Sequence, residues 1–281
     1  MAIPIVFTLD KGFQQHVGVT IQSILNTHNV QEVKFYILTE DDKGNFLKLI
    51  RFLNSKSCNF EFINIDAGCF KELPFSSLYL NHTVYYRLFV MDYVNEEKII
   101  YLDGDTIVNA NLKDLFSVDI SGDYIGAVQD IGAQSSFFKD WGLEKSGVYV
   151  NAGILLINAK KIKKDKMDIE LKKFALENHL KLQWYDQDAI NLVFRDGIKI
   201  LPDKWNVQTN MLKYREDKKI TPGIIHYTES NKPWNFCSSH PLKAHYRKVL
   251  KTTPWKSYSP FCYSTKKAFQ RIVRKIKRIL G

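Results

Sequence analysis

Through the first half of the chain, short apolar runs alternate with segments whose apolar positions recur at helical spacing. Residues 3–9, 33–38, 60–65, 98–102 and 124–129 read as strands, each rich in branched and aromatic side chains. Between the first two, Val17, Ile21, Ile24 and Leu25 mark one face of a helix, and Phe46, Leu49, Ile50 and Leu53 do the same before the third. Alternation of this kind predicts βαβ units and an α/β fold with a mostly parallel central sheet. Ligands of such open sheets bind beyond the carboxyl ends of the strands. The loops Asp10-Lys11-Gly12 and Asp103-Gly104-Asp105 should therefore open onto one crevice.

The second half is less regular. Residues 82–90 read as a helix carrying Arg87, and residues 131–147 as a loop holding Phe137, Phe138 and Trp141. A strand over 149–158 is entered through the small residues of Asn151-Ala152-Gly153, which suit either a tight turn or bulge, or a close approach by something bulky. Residues 160–181 form a highly charged helical stretch, read as a solvated face. The segment 184–194 passes from polar residues into a helical period, with Asp186 placed to act as its N-cap. A short strand over 224–227 carries His226 and precedes Lys232-Pro233-Trp234.

At the carboxyl end, Phe269, Ile272, Val273, Ile276, Ile279 and Leu280 share one helical arc. Lys266, Lys267, Arg271, Arg274, Lys275, Lys277 and Arg278 occupy the other. That is the pattern of an interfacial amphipathic helix, although docking on the protein's own core would use the same apolar face. Each basic residue near an anionic leaflet contributes ~1 kcal/mol, enough in sum for reversible membrane attachment through residues 266–281.

Composition narrows the choices. With 45% hydrophobic residues, a chain of 281 residues can bury a full core as one domain with an appendage. We place the boundary at 1–235 for the main domain and 236–281 for a basic extension. No apolar run reaches the ~20 residues of a bilayer span, and the start lacks a signal-type pattern, so a cytoplasmic protein peripheral to the inner face of the cytoplasmic membrane is expected. Cys58, Cys69, Cys237 and Cys262 lack C-x-x-C spacing and read as reduced thiols without a zinc site. All 30 acidic residues precede residue 230, whereas 13 of the 40 Lys and Arg follow it. A near-neutral body with a basic tail argues for one localised anionic partner and against nucleic acid.

The candidate chemistry lies at Asp103-Gly104-Asp105, where an apolar run delivers two carboxylates spaced i and i+2. Mn²⁺ or Mg²⁺ prefers such hard oxygen ligands and keeps positions open for phosphate, which points to a diphosphate ligand. Alone the motif is weak: about one copy is expected by chance, and Asp186-Gln187-Asp188 is a second. Arg87 alone fits a surface cation or a guanidinium fork facing carboxylate or phosphate. A lone histidine such as His226 fits a structural role or a ligand.

Taken in order, Ile-Val-Phe-Thr-Leu-Asp at 5–10, Tyr-Tyr-Arg-Leu at 85–88, Tyr-Leu-Asp-Gly-Asp at 101–105, Asn-Ala-Gly-Ile-Leu-Leu-Ile-Asn at 151–158, Asp-Gln-Asp at 186–188 and His-Tyr with Lys-Pro-Trp at 226–234 resemble the retaining glycosyltransferases of family eight. The resemblance implies a Rossmann-like domain of the GT-A type that binds a nucleotide sugar. It implies a metal-dependent transfer of a hexose, galactose ahead of glucose, from a UDP-sugar to a glycan or lipid-linked oligosaccharide such as lipopolysaccharide, forming an α linkage. Thr8, Asp10 and Gly12 match the loop holding uracil and ribose, and Arg87 the arginine near the donor sugar. Asp103 and Asp105, with Gly104 between them, and His226 match the Mn²⁺ site. Asn151, Ala152 and Gly153 match the lining of the donor pocket, and Lys232 a contact to the diphosphate. Asp186, Gln187 and Asp130 match positions beside the transferring sugar and the acceptor. Glu229 departs from the pattern, standing where these proteins carry a glycine beside the diphosphate. A nucleotidyltransferase or a noncatalytic membrane-bound adaptor are the alternatives from other classes.

Overall fold

The computed structural model describes residues 2–258 except 67, 69–81, 133–136, 142–147 and 215–219. A seven-stranded sheet in the order β3-β2-β1-β4-β7-β6-β8 lies at its centre. β1 (Ile3–Thr8), β2 (Val33–Thr39), β3 (Asn59–Asn64) and β4 (Ile99–Leu102) run parallel. β7 (Val150–Ile157) is antiparallel to β4 and to β6 (Ile125–Gln129), and β8 (Ile198–Ile200) pairs parallel with β6. The five strands expected from the apolar runs are all present, within one residue at each end. All but the half-exposed edge strand β3 are buried on both faces, which is why they read so clearly: Ile5 and Phe7 of β1 join one core and Val6 joins the other.

Helices α1 (Gln14–Leu25) and α2 (Leu47–Ser55) cover the first face, with Val17, Ile21, Ile24, Leu49 and Leu53 buried as their spacing required. On the other face, residues 82–90 begin as a 3₁₀ helix, His82–Phe89, and not as a regular α-helix. Its tighter winding buries Tyr85, Tyr86, Leu88 and Phe89 together. The charged stretch 160–181 is more than a solvated face. It forms helices Ala159–Lys164 and Met167–Asn178, whose Ile162, Leu171 and Ala175 are buried in the second core. Within the expected loop 131–147, Phe137–Asp140 is a single helical turn, and Phe137 packs edge-on against Tyr149 at 4.5 Å.

A smaller sheet, β5 (Thr106–Val108), β10 (Ile224–His226) and β9 (Val207–Gln208), matters more for function. β10 is antiparallel to β5, and His226 pairs with Thr106. That register brings a histidine from late in the chain beside Asp105. Helix Lys243–Leu250 follows, and its Tyr246, together with Trp255, belongs to the core around α1. The expected amphipathic helix at 266–281 lies outside the described residues. Among the described residues no helix is long and apolar enough to cross a membrane.

Candidate active site

Strand β4 ends at Leu102 and releases Asp103, whose backbone N–H donates to Gly153 O at 2.7 Å. Asp105 follows on the same tight link into β5. The intervening Gly104 is required by packing, since a Cβ there would meet Val17 Cγ2 at 2.7 Å and Phe13 at 2.9 Å. Helix α1 thus presses directly on the turn that carries the carboxylates. One ligand atom each from Asp103, Asp105 and His226 lies within 4.8 Å of the others. His226 Nε2 is 3.2 Å from Asp105 Oδ1 and 3.6 Å from Asp103 Oδ2.

The opposite wall is Asn151-Ala152-Gly153. Between the pairs Ala127–Leu155 and Gln129–Val150, β7 carries three more residues than β6, so this segment bulges from the sheet. The bulge and the close approach are therefore one feature. A Cβ at Gly153 would stand 2.1 Å from His226 Cε1 and 2.7 Å from Asp103 Oδ2.

Hydrogen bonds fix which nitrogen of His226 faces the carboxylates. Asn206 spends its amide N–H on Asn151 Oδ1 at 2.9 Å, which leaves its oxygen facing His226 Nδ1 at 3.1 Å. An oxygen there needs a donor, so Nδ1 carries the proton and Nε2 presents a lone pair. Asp105 Oδ1, likewise, is buried and receives no hydrogen bond. Three electron-pair donors thus converge without a proton between them. Such a grouping suits a divalent cation, and two carboxylate oxygens with one imidazole are ligands that Mn²⁺ and Mg²⁺ accept.

Charges around this cluster are arranged in pairs. Lys232 Nζ donates to Asp105 Oδ2 at 2.6 Å and to Tyr227 O. Burial alone would raise the Asp105 carboxyl, but the ammonium of Lys232 holds it below the usual carboxylate range. Arg87 is no surface cation: its side chain is only 11% exposed, and its fork joins Asp103 Oδ1 at 3.1 Å to Asp186 Oδ2 at 2.6 Å. Burial and the neighbouring Asp103 push the Asp186 carboxyl up to about 7 against the pull of Arg87. Thr8 and Tyr101 complete the chain, Thr8 Oγ1 lying 2.8 Å from Tyr101 Oη, which donates to Asp103 Oδ1 at 2.9 Å.

Asp186 does not cap its helix. Helix Asp186–Val193 begins at that residue, and its carboxylate turns to Arg87. Asp188 takes the capping-like role, accepting from the N–H groups of Gln183 at 2.6 Å and Trp184 at 2.8 Å. The second Asp-x-Asp is therefore not a rival metal site. Between the two aspartates, Gln187 Oε1 accepts from Ala152 N at 3.0 Å and Asn151 Nδ2 at 3.1 Å. Its Nε2 donates to Tyr149 Oη at 3.2 Å and Asp130 Oδ2 at 3.3 Å.

The first-strand loop lies at the other end of the crevice. Asp10 accepts from Phe13 N at 3.0 Å, turning the chain into α1. Asp10, Lys11, Gly12, Glu40, Asp41, His82, Thr83 and Tyr86 line a cavity of about 580 Å³ beyond β1 and β2. Glu229 is half-buried three residues past β10, on the segment from which Lys232 turns back. Sequence reasoning did not single out Asn206, Tyr149 or Tyr101 for the site. Asn206, a fully buried asparagine between Trp205 and Val207, is the one whose polar character in an apolar setting could have drawn notice.

An open α/β sheet with an Asp-Gly-Asp turn and a histidine at its carboxyl edge defines a GT-A-like fold. The chain belongs to glycosyl transferase family 8, whose profile matches residues 4–237. General stress protein A of Bacillus subtilis is 28% identical over 270 residues, covering 89% of this chain and 94% of that protein. A lipopolysaccharide 1,2-glucosyltransferase of Escherichia coli is 26% identical over 275 residues, covering 92% and 80%. Among solved structures, the galactosyltransferase LgtC with donor and acceptor sugar analogues superposes with a TM-score of 0.79 at 23% identity, over 90% of this chain and 96% of LgtC.

Proposed function

We propose that this glycosyltransferase moves a hexose from a UDP-sugar to a lipopolysaccharide, lipooligosaccharide or related glycan acceptor, with retention and formation of an α linkage. The observation that carries this reading is the convergence of Asp103, Asp105 and His226 on one point beside the cavity behind Asp10. These three residues would hold Mn²⁺ or Mg²⁺, which supplies a Lewis acid for the phosphate of departing UDP. Thr8, Asp10 and Gly12 hold uracil and ribose. Lys232 places a second positive charge where negative charge grows on the diphosphate. Arg87 and Asp186 orient the donor sugar, with Gly104, Asn151, Ala152 and Gly153 forming the pocket around it.

Gln187 faces the anomeric carbon in this reading. An amide is a poor nucleophile, and this one is held by four hydrogen bonds. It acts as a fixed dipole that steadies the oxocarbenium ion, in contrast to the carboxylate nucleophile of retaining hydrolases. Attack then comes from the leaving-group face, and the acceptor's proton passes to the departing phosphate oxygen, with Asp130 beside the acceptor. A covalent sugar adduct on Gln187 or Asp186 during turnover would overturn this route.

Galactose stands ahead as the donor hexose, in line with the LgtC fold likeness. The likeness to a lipopolysaccharide 1,2-glucosyltransferase favours UDP-glucose as the second reading. Residues 1–235 form the catalytic unit, and 236–281 an extension whose last sixteen residues attach to the anionic inner face of the cytoplasmic membrane. Deleting residues 266–281 should release the protein from anionic vesicles while sparing transfer to a soluble acceptor. The deciding experiment incubates the protein with Mn²⁺ and either UDP-galactose or UDP-glucose, with and without a lactose-type acceptor. The reading predicts UDP release that the acceptor accelerates. Release of pyrophosphate from a nucleoside triphosphate, with no UDP from either sugar, would overturn it.

A further inference from the structure

Tyr185 is in an unusual backbone state. Three non-glycine residues among those described have positive φ: Ser57, Lys166 and Tyr185. Lys166, at φ 57 and ψ 26, sits in the ordinary left-handed well, whereas Tyr185 has φ 51 and ψ −115. That is the first central position of a type II′ turn, where glycine is the usual residue. Gln187 N closes the turn onto Trp184 O at 3.0 Å. The strained residue thus stands immediately before Asp186 and Gln187, and a strained conformation persists only where its surroundings over-determine it.

Those surroundings include the Tyr85 ring, on which the buried Tyr185 ring packs edge-on at 6.2 Å, and the side chain of Asp188 with what it binds. Asp188 is fully buried, and one carboxylate oxygen takes the N–H groups of Gln183 and Trp184, just upstream of the turn. The other accepts a short hydrogen bond from Tyr149 Oη. A carboxylate only accepts, so the Tyr149 proton is committed to it and the hydroxyl offers Gln187 a lone pair. Only the N–H side of the Gln187 amide can face that lone pair, which turns Oε1 toward Ala152 N and Asn151 Nδ2. The polarity of the chain from Asp188 through Tyr149 to Gln187 is therefore set from its buried end, in the same sense that the Ala152 N–H and the Asp130 carboxylate favour from the other side.

We propose that Asp188 and Tyr149 are positioning residues that hold the strained Tyr185 turn and dictate which way the Gln187 amide points. This deepens the preceding reading and rests on its placement of Gln187 against the sugar. Neither residue touches the donor; each acts through Gln187.

Two substitutions separate the functions of the pair. In Asp188→Asn the amide oxygen can still take the Gln183 and Trp184 N–H groups, so the turn survives. Its NH₂ then faces Tyr149, whose proton must swing toward Gln187 Nε2 and clash with it. The Gln187 amide reverses, and its NH₂ meets the donors Ala152 N and Asn151 Nδ2. Tyr149→Phe removes the relay without adding a wrong donor. The test measures steady-state UDP release from UDP-galactose or UDP-glucose, whichever the wild type turns over faster, with Mn²⁺ and a lactose-type acceptor. Melting temperature is followed alongside, with Gln187→Ala as reference.

Both variants should lower kcat about 10- to 100-fold, Asp188→Asn more, with KM for the UDP-sugar within about twofold of wild type. Unchanged kcat in Tyr149→Phe and Asp188→Asn, with Gln187→Ala impaired, would overturn the relay alone. Unchanged kcat in Gln187→Ala would overturn the placement of Gln187 itself. If Asp188→Asn does not fold, Tyr149→Phe decides by the same kcat-against-KM criterion. A fall in kcat matched by an equal rise in KM and a large loss of melting temperature would show a structural role only, and would also overturn the relay.

Discussion

The two ends of the crevice are built on different principles. At the cavity beyond β1 and β2, loops that follow regular strands meet the 3₁₀ helix His82–Phe89, and few bonds tie them: Asp10 to Phe13 N, Asp41 to Lys11 N and Glu40 to Tyr86 Oη. At the Asp103–His226 cluster, six separated segments meet, and almost every polar group is held by one from a distant part of the chain: Arg87 by Asp186, Asn151 by Asn206, Asp105 by Lys232. The first is an open surface that can adapt to a ligand. The second is a buried network in which losing one member strands the rest, at a cost of several kcal/mol for an unpaired buried charge. Substitutions should therefore act mainly on binding at the first end and on turnover at the second.

Asp105→Ala should have the largest effect, because it removes a proposed metal ligand and leaves Lys232 without its carboxylate. Loss of several kcal/mol of transition-state stabilisation predicts a fall in UDP release on the order of 10³-fold. A fall under tenfold would break the contrast between the two ends. Asn206→Ala should come next. It frees His226 Nδ1 and so unfixes the lone pair on Nε2. Losing the partner that orients a metal-binding imidazole lowers metal affinity about 10- to 100-fold, seen as a rightward shift of the Mn²⁺ activation curve with the maximal rate partly recovered at high Mn²⁺. Asp10→Ala, at the open end, should raise KM for the UDP-sugar about tenfold or less and leave kcat nearly unchanged.

A stability effect should be smaller and separable from activity. His16 of α1 lies buried, stacked on Trp234 at 3.6 Å, with Nδ1 2.7 Å from Tyr246 Oη. Burial lowers its pKa from 6.5 to about 3, so it stays neutral in the folded state where the unfolded chain takes up a proton. Folding stability contributed by this residue is therefore full above pH 6.5 and declines as pH falls from 6.5 toward 3. Denaturant midpoints measured between pH 7 and pH 4 should fall less steeply in His16→Gln than in the wild type.

The contrast also explains what could be read from the sequence. Strands β1, β2, β4 and β6 announce themselves because strands buried on both faces must be apolar almost throughout, the edge strand β3 through its Phe60, Phe62 and Ile63, and α1 and α2 because their buried faces repeat at helical spacing. The metal-side residues were nameable only through motif order, since nothing in the period of the chain brings His226 to Asp105. That proximity comes from the antiparallel pairing of β10 with β5. Tyr149 and the strained Tyr185 left no local pattern, and Asn206 only its polar character between apolar neighbours, because each acts through hydrogen bonds or a backbone angle set by tertiary contacts. Asp186 misled for the converse reason: local rules favour an N-cap there, and the buried guanidinium of Arg87 outcompetes them.

Asp103, Asp105 and His226 would form one cation site, separate from Asp186-Gln187-Asp188. Equilibrium titration with Mn²⁺ in the presence of UDP tests it directly, using the wild type, His226→Ala and Asp188→Ala. The account predicts one bound Mn²⁺ in the wild type, retained in Asp188→Ala and lost or weakened at least tenfold in His226→Ala. Undiminished binding in His226→Ala, or loss confined to Asp188→Ala, would contradict it.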